Sequence, residues 1–374
     1  MPDDRRTGAG GSPVWWTIDP AIARAATLPA GVYADPRWLE AAREKVFART
    51  WHLIGDADQL LEPGQCLPVT LLPGFLDEPL LLTRGRDDRV HLLSNVCTHR
   101  GALLCEGPAV QPGLRCRYHG RRFGLDGRFL SMPEFEGAEG FPSPADDLPQ
   151  VAFASLGKLI FASLAPAFPF EELVAEMTAR VGWLPIDKAT LDPSRSRDYY
   201  LPANWALYCD NFLEGLHIPF VHAALLESLD FGGYRTEVYR WASLQVGAAS
   251  GDDATFDPPP SSPDHGRRIA AYYWWLFPAT MINVYPWGLS VNLVQPLAAD
   301  RTRVAYRTYV WDPALLGLGA SADLDRVERE DEAVVASVQR GVRSRLYRRG
   351  RYSPKHEAGV HHFHRLLTRF LAAE

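Results

Sequence analysis

Two short stretches constrain this chain more than any other feature: Cys97-Thr98-His99 and, after sixteen intervening residues, Cys116-Arg117-Tyr118-His119. Each supplies one thiolate and one imidazole, so the fold must bring two loops together around one inorganic centre. Two Cys and two His in a C-x-H…C-x2-H pattern are the ligand set of a [2Fe–2S] centre in which thiolates hold one iron and neutral imidazoles the other. The imidazoles remove negative charge and raise the reduction potential, which suits one-electron transfer. Zinc is the competing reading, but zinc fingers pair Cys-x2–4-Cys with His-x3–5-His and do not place one of each in each loop. Chance is a weaker rival, with five Cys and eleven His among 374 residues. Arg100-Gly101 follows the first pair and Gly120 the second, small residues that let the backbone approach the cluster sulfurs.

On these motifs the chain resembles the Rieske family. Respiratory-chain members carry an extra disulfide between their loops, at places where this sequence has Ala102 and Tyr118, so the resemblance is to the lower-potential ferredoxin and oxygenase branch. Cys105 reads as a small core residue. The family's second loop commonly runs C-P-x-H-G-W-x-F, and here Arg117 and Arg121 replace Pro and Trp. Cationic residues on the surface beside the cluster would favour an acidic partner face.

A second constellation lies about a hundred residues on, between Asn204 and His222. His217 and His222 are five apart, roughly 140° around a regular helix. An undistorted helix could not aim both at one metal, but Pro219 lies between them and clashes with the carbonyl of Gly215, so the helix must kink or break there. Glu214, three residues before His217, shares its helical face and can reach its second nitrogen or the metal edge. Two His and one carboxylate on one face is the non-haem iron arrangement. The carboxylate must come from elsewhere, and a helix over 330–341 with an apolar stripe of Val334, Val335, Val338 and Val342 is the source, its acidic residues opening the helix as the dipole favours. Spacing alone does not choose among Glu328, Glu330, Asp331 and Glu332.

The segment resembles the mononuclear-iron motif of Rieske oxygenases, D/E-N-x-x-D/E-x-x-H-x4-H, and the likeness spans roughly residues 33–370. The resemblance implies iron ligation by His217, His222 and Asp331, the last from an E-D-x6-V-Q-x-G pattern. It gives Glu214 a bridging role to a cluster-binding His of the neighbouring subunit, in a head-to-tail homotrimer. Glu at this place matches carnitine-type monooxygenases. Glu214, Asp210 and Asn211 are the candidate catalytic residues, and Asp210, Asn211 and Tyr208 are placed to orient the ligands.

Composition agrees. With 47% hydrophobic and 22% charged residues and a net charge of −6, the chain can bury two ordinary cores and is no general nucleic-acid binder. It has no apolar run of membrane-spanning length, its first six residues lack the apolar core of a secretory signal, and Arg5-Arg6 is not followed by an export h-region, so the cytoplasm is expected. The expected class is α+β in three parts. Residues 1–50 form an N-terminal segment, helical over about 35–50, that packs with the catalytic domain. Residues 51–164 form a small antiparallel β domain for the cluster, with strands at 80–83 and 158–161. Residues 165–374 form a catalytic domain, which the resemblance implies is helix-grip: an antiparallel sheet with covering helices. Its strand candidates are 267–277, 289–295 and 304–311, and 253–266 is a loop. Aromatics at 272–277 and at Tyr285 and Trp287 can line a substrate pocket suited to a quaternary ammonium. A G-x-G-x-x-A match at 317–322 lacks the strand–turn–helix context of a nucleotide site. With no flavin, nicotinamide or second-cluster module, electrons should come from a separate flavin/iron–sulfur reductase or ferredoxin. The resemblance of residues 210–215 and their surroundings to choline-, glycine-betaine- and carnitine-type enzymes implies monohydroxylation of a small organic substrate with O2, extending to N-dealkylation. Ring cis-dihydroxylation is the alternative chemistry, and a non-catalytic Rieske electron carrier with a ligand-binding domain is the alternative class.

Overall fold

The computed structural model describes residues 16–222, 229–250, 254–317 and 324–373. The chain divides into two compact units, one formed by Ala48–Ala167 and the other by Phe168–Glu374 together with the chain up to Phe47.

The Ala48–Ala167 unit is built from short strands, because Gly and Pro interrupt the apolar runs before any strand exceeds seven residues. A four-stranded antiparallel sheet orders Val90–Ser94, Glu78–Arg84, Gln65–Leu71 and Ala109–Val110, and two three-stranded sheets flank it in sequence. The continuous run Leu80-Leu81-Leu82 is wholly buried, as a central strand covered on both faces must be. Its core includes Leu81, Leu93, Leu114 and Phe123 packed with Cys97, Cys105 and Cys116. Cys105 is the small core residue expected, and all five cysteines are free.

In the other unit a large antiparallel sheet runs in the order Thr190–Leu191, Arg301–Val310, Gly288–Ala298, Thr280–Tyr285, Ile269–Leu276, Ala242–Ala249 and Leu229–Val238, with Arg197–Leu201 also paired to Arg301–Val310. Helices α1 (Pro36–Lys45), α2 (Phe170–Val181), α3 (Trp205–Phe212), α4 (Ile218–Val221), α5 (Leu324–Gly341) and α6 (Ala358–Ala372) accompany it. Asp35 caps α1, its carboxylate accepting from the Arg37 amide at 3.0 Å. Helices α1 and α3 pack on Gly288–Ala298 and α6 on Leu229–Val238, so the architecture is the α+β one expected. Residues 318–322 of the G-x-G-x-x-A stretch lie outside the described residues.

The 253–266 segment, read as a loop, is one from residue 254 on, and it is anchored by a buried carboxylate. Asp264 is fully buried and accepts from Arg180 Nε at 2.6 Å, Arg235 Nη2 at 2.5 Å and the Tyr272 hydroxyl at 3.1 Å. This ties α2 to two strands of the sheet. Without the Asp264 charge the two arginines would share Glu237 alone, which pairs with Arg180 at 2.9 Å and Arg235 at 3.0 Å, and a buried pair that loses a partner is strongly destabilised. Asp264→Asn is therefore expected to lower unfolding stability by about 3 kcal/mol, read as a shift of the urea midpoint with unchanged slope.

Candidate metal centres

Both cluster-type loops follow one backbone pattern. The Gly101 amide donates to the Cys97 carbonyl at 3.0 Å and the Cys97 amide to Ala102 O at 2.8 Å; Gly120 and Cys116 repeat this with the Cys116 and Arg121 carbonyls at the same two distances. Gly101 and Gly120 have φ of +73° and +77°, the left-handed region that side chains with a Cβ rarely adopt. A Cβ at Gly101 would meet nothing within 4 Å. The turn conformation by itself requires glycine at both places.

Cys97 and Cys116 are buried, the rings of His99 and His119 lie 4.8 Å apart, and His119 Nδ1 is buried with no hydrogen-bond partner. A polar atom in that state costs free energy unless something binds it. Burial, then the neighbouring His119, Arg100 and Arg121, hold His99 below the usual imidazole range, which favours the neutral ring that ligation needs. The donor set fits a [2Fe–2S] cluster.

Arg121, expected on the surface beside the cluster, is instead 2% exposed. Its Nη2 donates to Asp146 Oδ1 at 2.5 Å, and its guanidinium lies over the rings of Phe129 and Phe141 at 4.9 and 5.5 Å. A planar, weakly hydrated cation can be buried here because a carboxylate meets its charge and phenyl faces accept its plane. Thr98, between Cys97 and His99, donates its hydroxyl to the Asp146 carbonyl at 2.8 Å. Asp146 thus holds both loops at once, and Arg121 lowers the Asp146 carboxyl below the usual range. Arg117 is exposed.

In the second unit, α3 is capped by the Asn204 side chain, which accepts from the Ala206 amide at 2.9 Å. The helix stops at Phe212, the chain turns, and α4 begins with His217 at its N-cap and Pro219 in its first turn. The break therefore falls before the histidines and not at Pro219, which occupies a place where a missing N–H costs nothing. Glu214 lies in the turn and not on a helical face. It reaches His217 all the same, Oε1 pairing with Nδ1 at 2.7 Å and Oε2 accepting from the Leu216 and His217 amides. A Cβ on Gly215 would come within 2.6 Å of Tyr234, so the turn closes directly on that ring.

The two histidines converge on α5. His222 Nε2 is 2.9 Å and His217 Nε2 3.5 Å from Asp331 Oδ1, and ligand atoms of the three lie within 4.8 Å of one another. Each has a support behind it: Glu214 on His217 Nδ1, Glu330 Oε2 on His222 Nδ1 at 2.8 Å, and Asn211 Nδ2 on Asp331 Oδ1 at 2.7 Å. Carboxylates on both Nδ1 atoms turn both Nε2 atoms toward one point, the usual support of metal-binding imidazoles. For His222, burial works to lower the pKa, but the hydrogen bonds to Asp331 and Glu330 outweigh it and the group is raised. Two imidazoles and one carboxylate on one side fit a non-haem iron.

Several expectations need correction. The acidic residues 330–332 do not open the helix, since α5 already begins at Leu324. Its buried face is Glu328, Val335 and Gln339, while Val338 is 42% exposed, because polar residues with buried partners take up part of the expected apolar stripe. Asp210 does not orient the metal ligands: it accepts from Tyr33 at 2.8 Å and pairs with His364 at 2.8 Å, behind α3. Tyr208 donates to Glu328 Oε2 at 2.7 Å and meets Tyr306 at 3.0 Å. Of the aromatics expected as pocket walls, Tyr273 and Tyr285 line the cavity at His217, whereas Tyr272, Trp274, Trp275 and Phe277 are core. Glu330 as partner of His222, Tyr306 and Tyr234 as cavity walls, and Asp146 as a clasp were not legible, because each depends on contacts distant in sequence.

Residues 50–142 match the Rieske [2Fe–2S] domain, and residues 186–373 match the ring hydroxylating alpha subunit (catalytic domain). The chain is 30% identical to the chloroplastic choline monooxygenase of Arabidopsis thaliana, over 94% of this chain and 84% of that one. It is 28% identical to the carnitine monooxygenase oxygenase subunit of Escherichia coli (strain K12), over 91% and 93%. A crystal structure of the quaternary ammonium Rieske monooxygenase CntA with an inhibitor superposes with a TM-score of 0.74 at 25% identity, over 94% and 97% of the two chains. Naphthalene 1,2-dioxygenase from Rhodococcus sp. shares the fold, with a TM-score of 0.71 at 19% identity over 93% and 95%. The chain belongs to the Rieske non-haem iron oxygenases, as a catalytic alpha subunit. Its cofactors are accordingly a Rieske [2Fe–2S] cluster and a mononuclear non-haem iron, and it is an oxidoreductase that acts with O2 on a small organic substrate and needs an electron-transfer partner.

Asp146→Asn leaves the buried Arg121 without its countercharge, at a cost of about 3 kcal/mol, and lowers acid-labile sulfide per purified chain. The double change Arg121→Met with Asp146→Asn, which leaves no charge uncompensated, should recover much of that stability in thermal unfolding. Because Asp146 is held below its ordinary range, its contribution is complete at neutral pH and is lost as pH falls below about 4.

Proposed function

We propose that this chain is the oxygenase component of a monooxygenase acting on a small cationic amine. In this reading His217, His222 and Asp331 hold the mononuclear iron and Cys97, His99, Cys116 and His119 hold the cluster. The observation that carries it is the character of the cavity beside His217, His222 and Asp331. The cavity measures about 100 Å³, and its walls combine tyrosine rings, amides and carboxylates with the apolar Phe212, Ile218, Leu324 and Val327, with no Lys or Arg among the described lining residues. Tyr273 meets Tyr285 edge-on at 6.1 Å and lies tilted against Tyr234 at 6.4 Å, and tyrosine ring faces attract an ammonium group. Burial raises the pKa of all three, keeping them as neutral phenols. The named activities of the choline and carnitine monooxygenases support the same substrate class.

When bound, the cluster supplies single electrons and the iron supplies O2 activation for insertion into a C–H bond. The residues of the chain do the rest. Glu214 and Glu330 keep the two imidazoles turned inward, Asn211 fixes Asp331, and the buried tyrosines exclude water and set the amine's methyl or methylene group against the metal site. A separate flavin/iron–sulfur reductase or ferredoxin supplies the electrons. A carboxylate has roughly four lone-pair sites, and Glu214 uses three within its own chain. That leaves capacity for a donor from a neighbouring copy, consistent with a head-to-tail homotrimer in which Glu214 links one subunit's cluster to the next subunit's iron. Among the described residues no helix is long and apolar enough to cross a membrane, and five free cysteines suit a reducing compartment, so the cytoplasm is the proposed location.

The test combines metal analysis with an oxygen-uptake screen of amines and arenes, using the anaerobically purified protein and a compatible reductase. About three irons and two acid-labile sulfides per chain, falling to about two irons in Asp331→Ala, are expected, with uptake stimulated by an amine. A cis-diol from an arene would instead place the enzyme among the dihydroxylating dioxygenases. About two irons with no substrate-dependent uptake would make it an electron carrier, and zinc without sulfide would overturn the cluster.

A further inference from the structure

Glu328 stands one helical turn before Asp331 on α5 and lines the same cavity, yet nothing in the metal site uses it. It is 2% exposed. Its Oε2 accepts from the Tyr208 hydroxyl at 2.7 Å and from the Tyr306 hydroxyl, while Oε1 is buried with no hydrogen-bond partner. Two tyrosines thus fix one oxygen and leave the other unsatisfied. Gln245, 2% exposed on the neighbouring wall, repeats the arrangement: its Nε2 donates to the Phe212 carbonyl at 2.6 Å, which establishes which end is the amide nitrogen, and its Oε1 is unpartnered. Asn283 Oδ1, on the same lining, is likewise buried and unpartnered, and three buried acceptors on one cavity ask for a ligand with hydrogen-bond donors.

A quaternary ammonium has no N–H to give, so the donor must be a hydroxyl elsewhere on the molecule or the N–H of a less substituted amine. A carboxylate on the ligand would meet Glu214, Glu328 and Asp331 with no Lys or Arg among the described residues of the cavity wall. An adjoining cleft shares Tyr306 and Leu324 and carries Arg195 and Arg197, but these are paired with Asp192 at 3.6 Å and Asp325 at 2.7 Å. We propose that Glu328, positioned by Tyr208 and Tyr306, anchors the substrate by accepting a hydrogen bond from its donor, and that the cavity selects cationic amino alcohols over amines that carry a carboxylate. This rests on the reading of the enzyme as an amine oxygenase. Burial pushes the Glu328 carboxyl up to about 8 against the pull of the Tyr306 and Tyr208 hydroxyls, and a cationic ligand would favour its ionised form.

The experiment is equilibrium binding by calorimetry, under anaerobic conditions, to the as-purified holoenzyme and to Glu328→Gln. The ligands are choline, its O-methyl ether, which lacks the donor, and glycine betaine and carnitine, which carry the carboxylate. Oxygen uptake with the same amines and with arenes runs alongside. The expected result is choline bound at least about tenfold more tightly than the ether or either carboxylate. Glu328→Gln should weaken choline by about ten- to a hundredfold and shrink its advantage. Equal binding of choline, ether and betaine to the parent protein overturns the anchor while leaving an amine oxygenase intact, and this arm needs no variant to fold. Binding of no amine, with uptake stimulated by arenes alone, overturns the amine reading as well.

Discussion

Asp331 Oδ1 accepts from Asn211 at 2.7 Å, is 2.9 Å from His222 Nε2 and 3.5 Å from His217 Nε2, so side chains from α3, the following turn and α4 meet one carboxylate oxygen of α5. That meeting requires α5 to hold a definite register against α3. Gln339, two turns beyond Asp331, sets it: its Oε1 accepts the Asn204 amide at the start of α3 at 2.7 Å and its Nε2 donates to the Tyr33 carbonyl at 3.1 Å. A buried amide satisfied at both ends specifies one arrangement, because a slip by one residue would leave three polar groups unpaired. The same register brings Glu328 to Tyr208 and Tyr306 and Glu330 to His222.

The far side of α3 is held with equal care. Asp210 pairs with His364 of α6, and His364 also meets the Tyr33 hydroxyl through Nε2 at 3.2 Å and the Tyr352 hydroxyl through Nδ1 at 2.6 Å. This network joins α3, α6 and the N-terminal segment beneath the site. Neighbouring residues of one motif therefore divide their work: Asn211 looks toward the metal ligands, while Asp210 looks away to the scaffold that keeps α3 still.

The two centres differ in electrostatics. At the cluster loops the buried charge is balanced, with Arg121 held against Asp146 and aromatic faces. At the mononuclear site it is anionic, with Glu214, Glu328, Glu330 and Asp331 gathered around two imidazoles. Buried carboxylates in such number are costly unless cations meet them, and a divalent metal together with a cationic substrate would provide that charge.

The candidate ligands of both centres were legible from the order of residue types, because such residues are scarce in the chain and locally spaced: Cys97, His99, Cys116 and His119 lie in two tight turns, and His217 and His222 in one segment. The strands at 80–83 and 289–295 were legible for the same reason, since a strand-length apolar run is a local signal. Choosing among Glu328, Glu330, Asp331 and Glu332 was not a local matter. The four carboxylates share one helix and differ only in the direction in which it presents them, and that is decided by packing of α5 against α3. Tertiary structure likewise buried Arg121, turned Asp210 away from the metal, moved the helix break ahead of His217, and selected Tyr208, Tyr234 and Tyr306 as cavity walls. A residue's type determines what it can bond, and only the partners that folding brings within about 3 Å determine what it does bond.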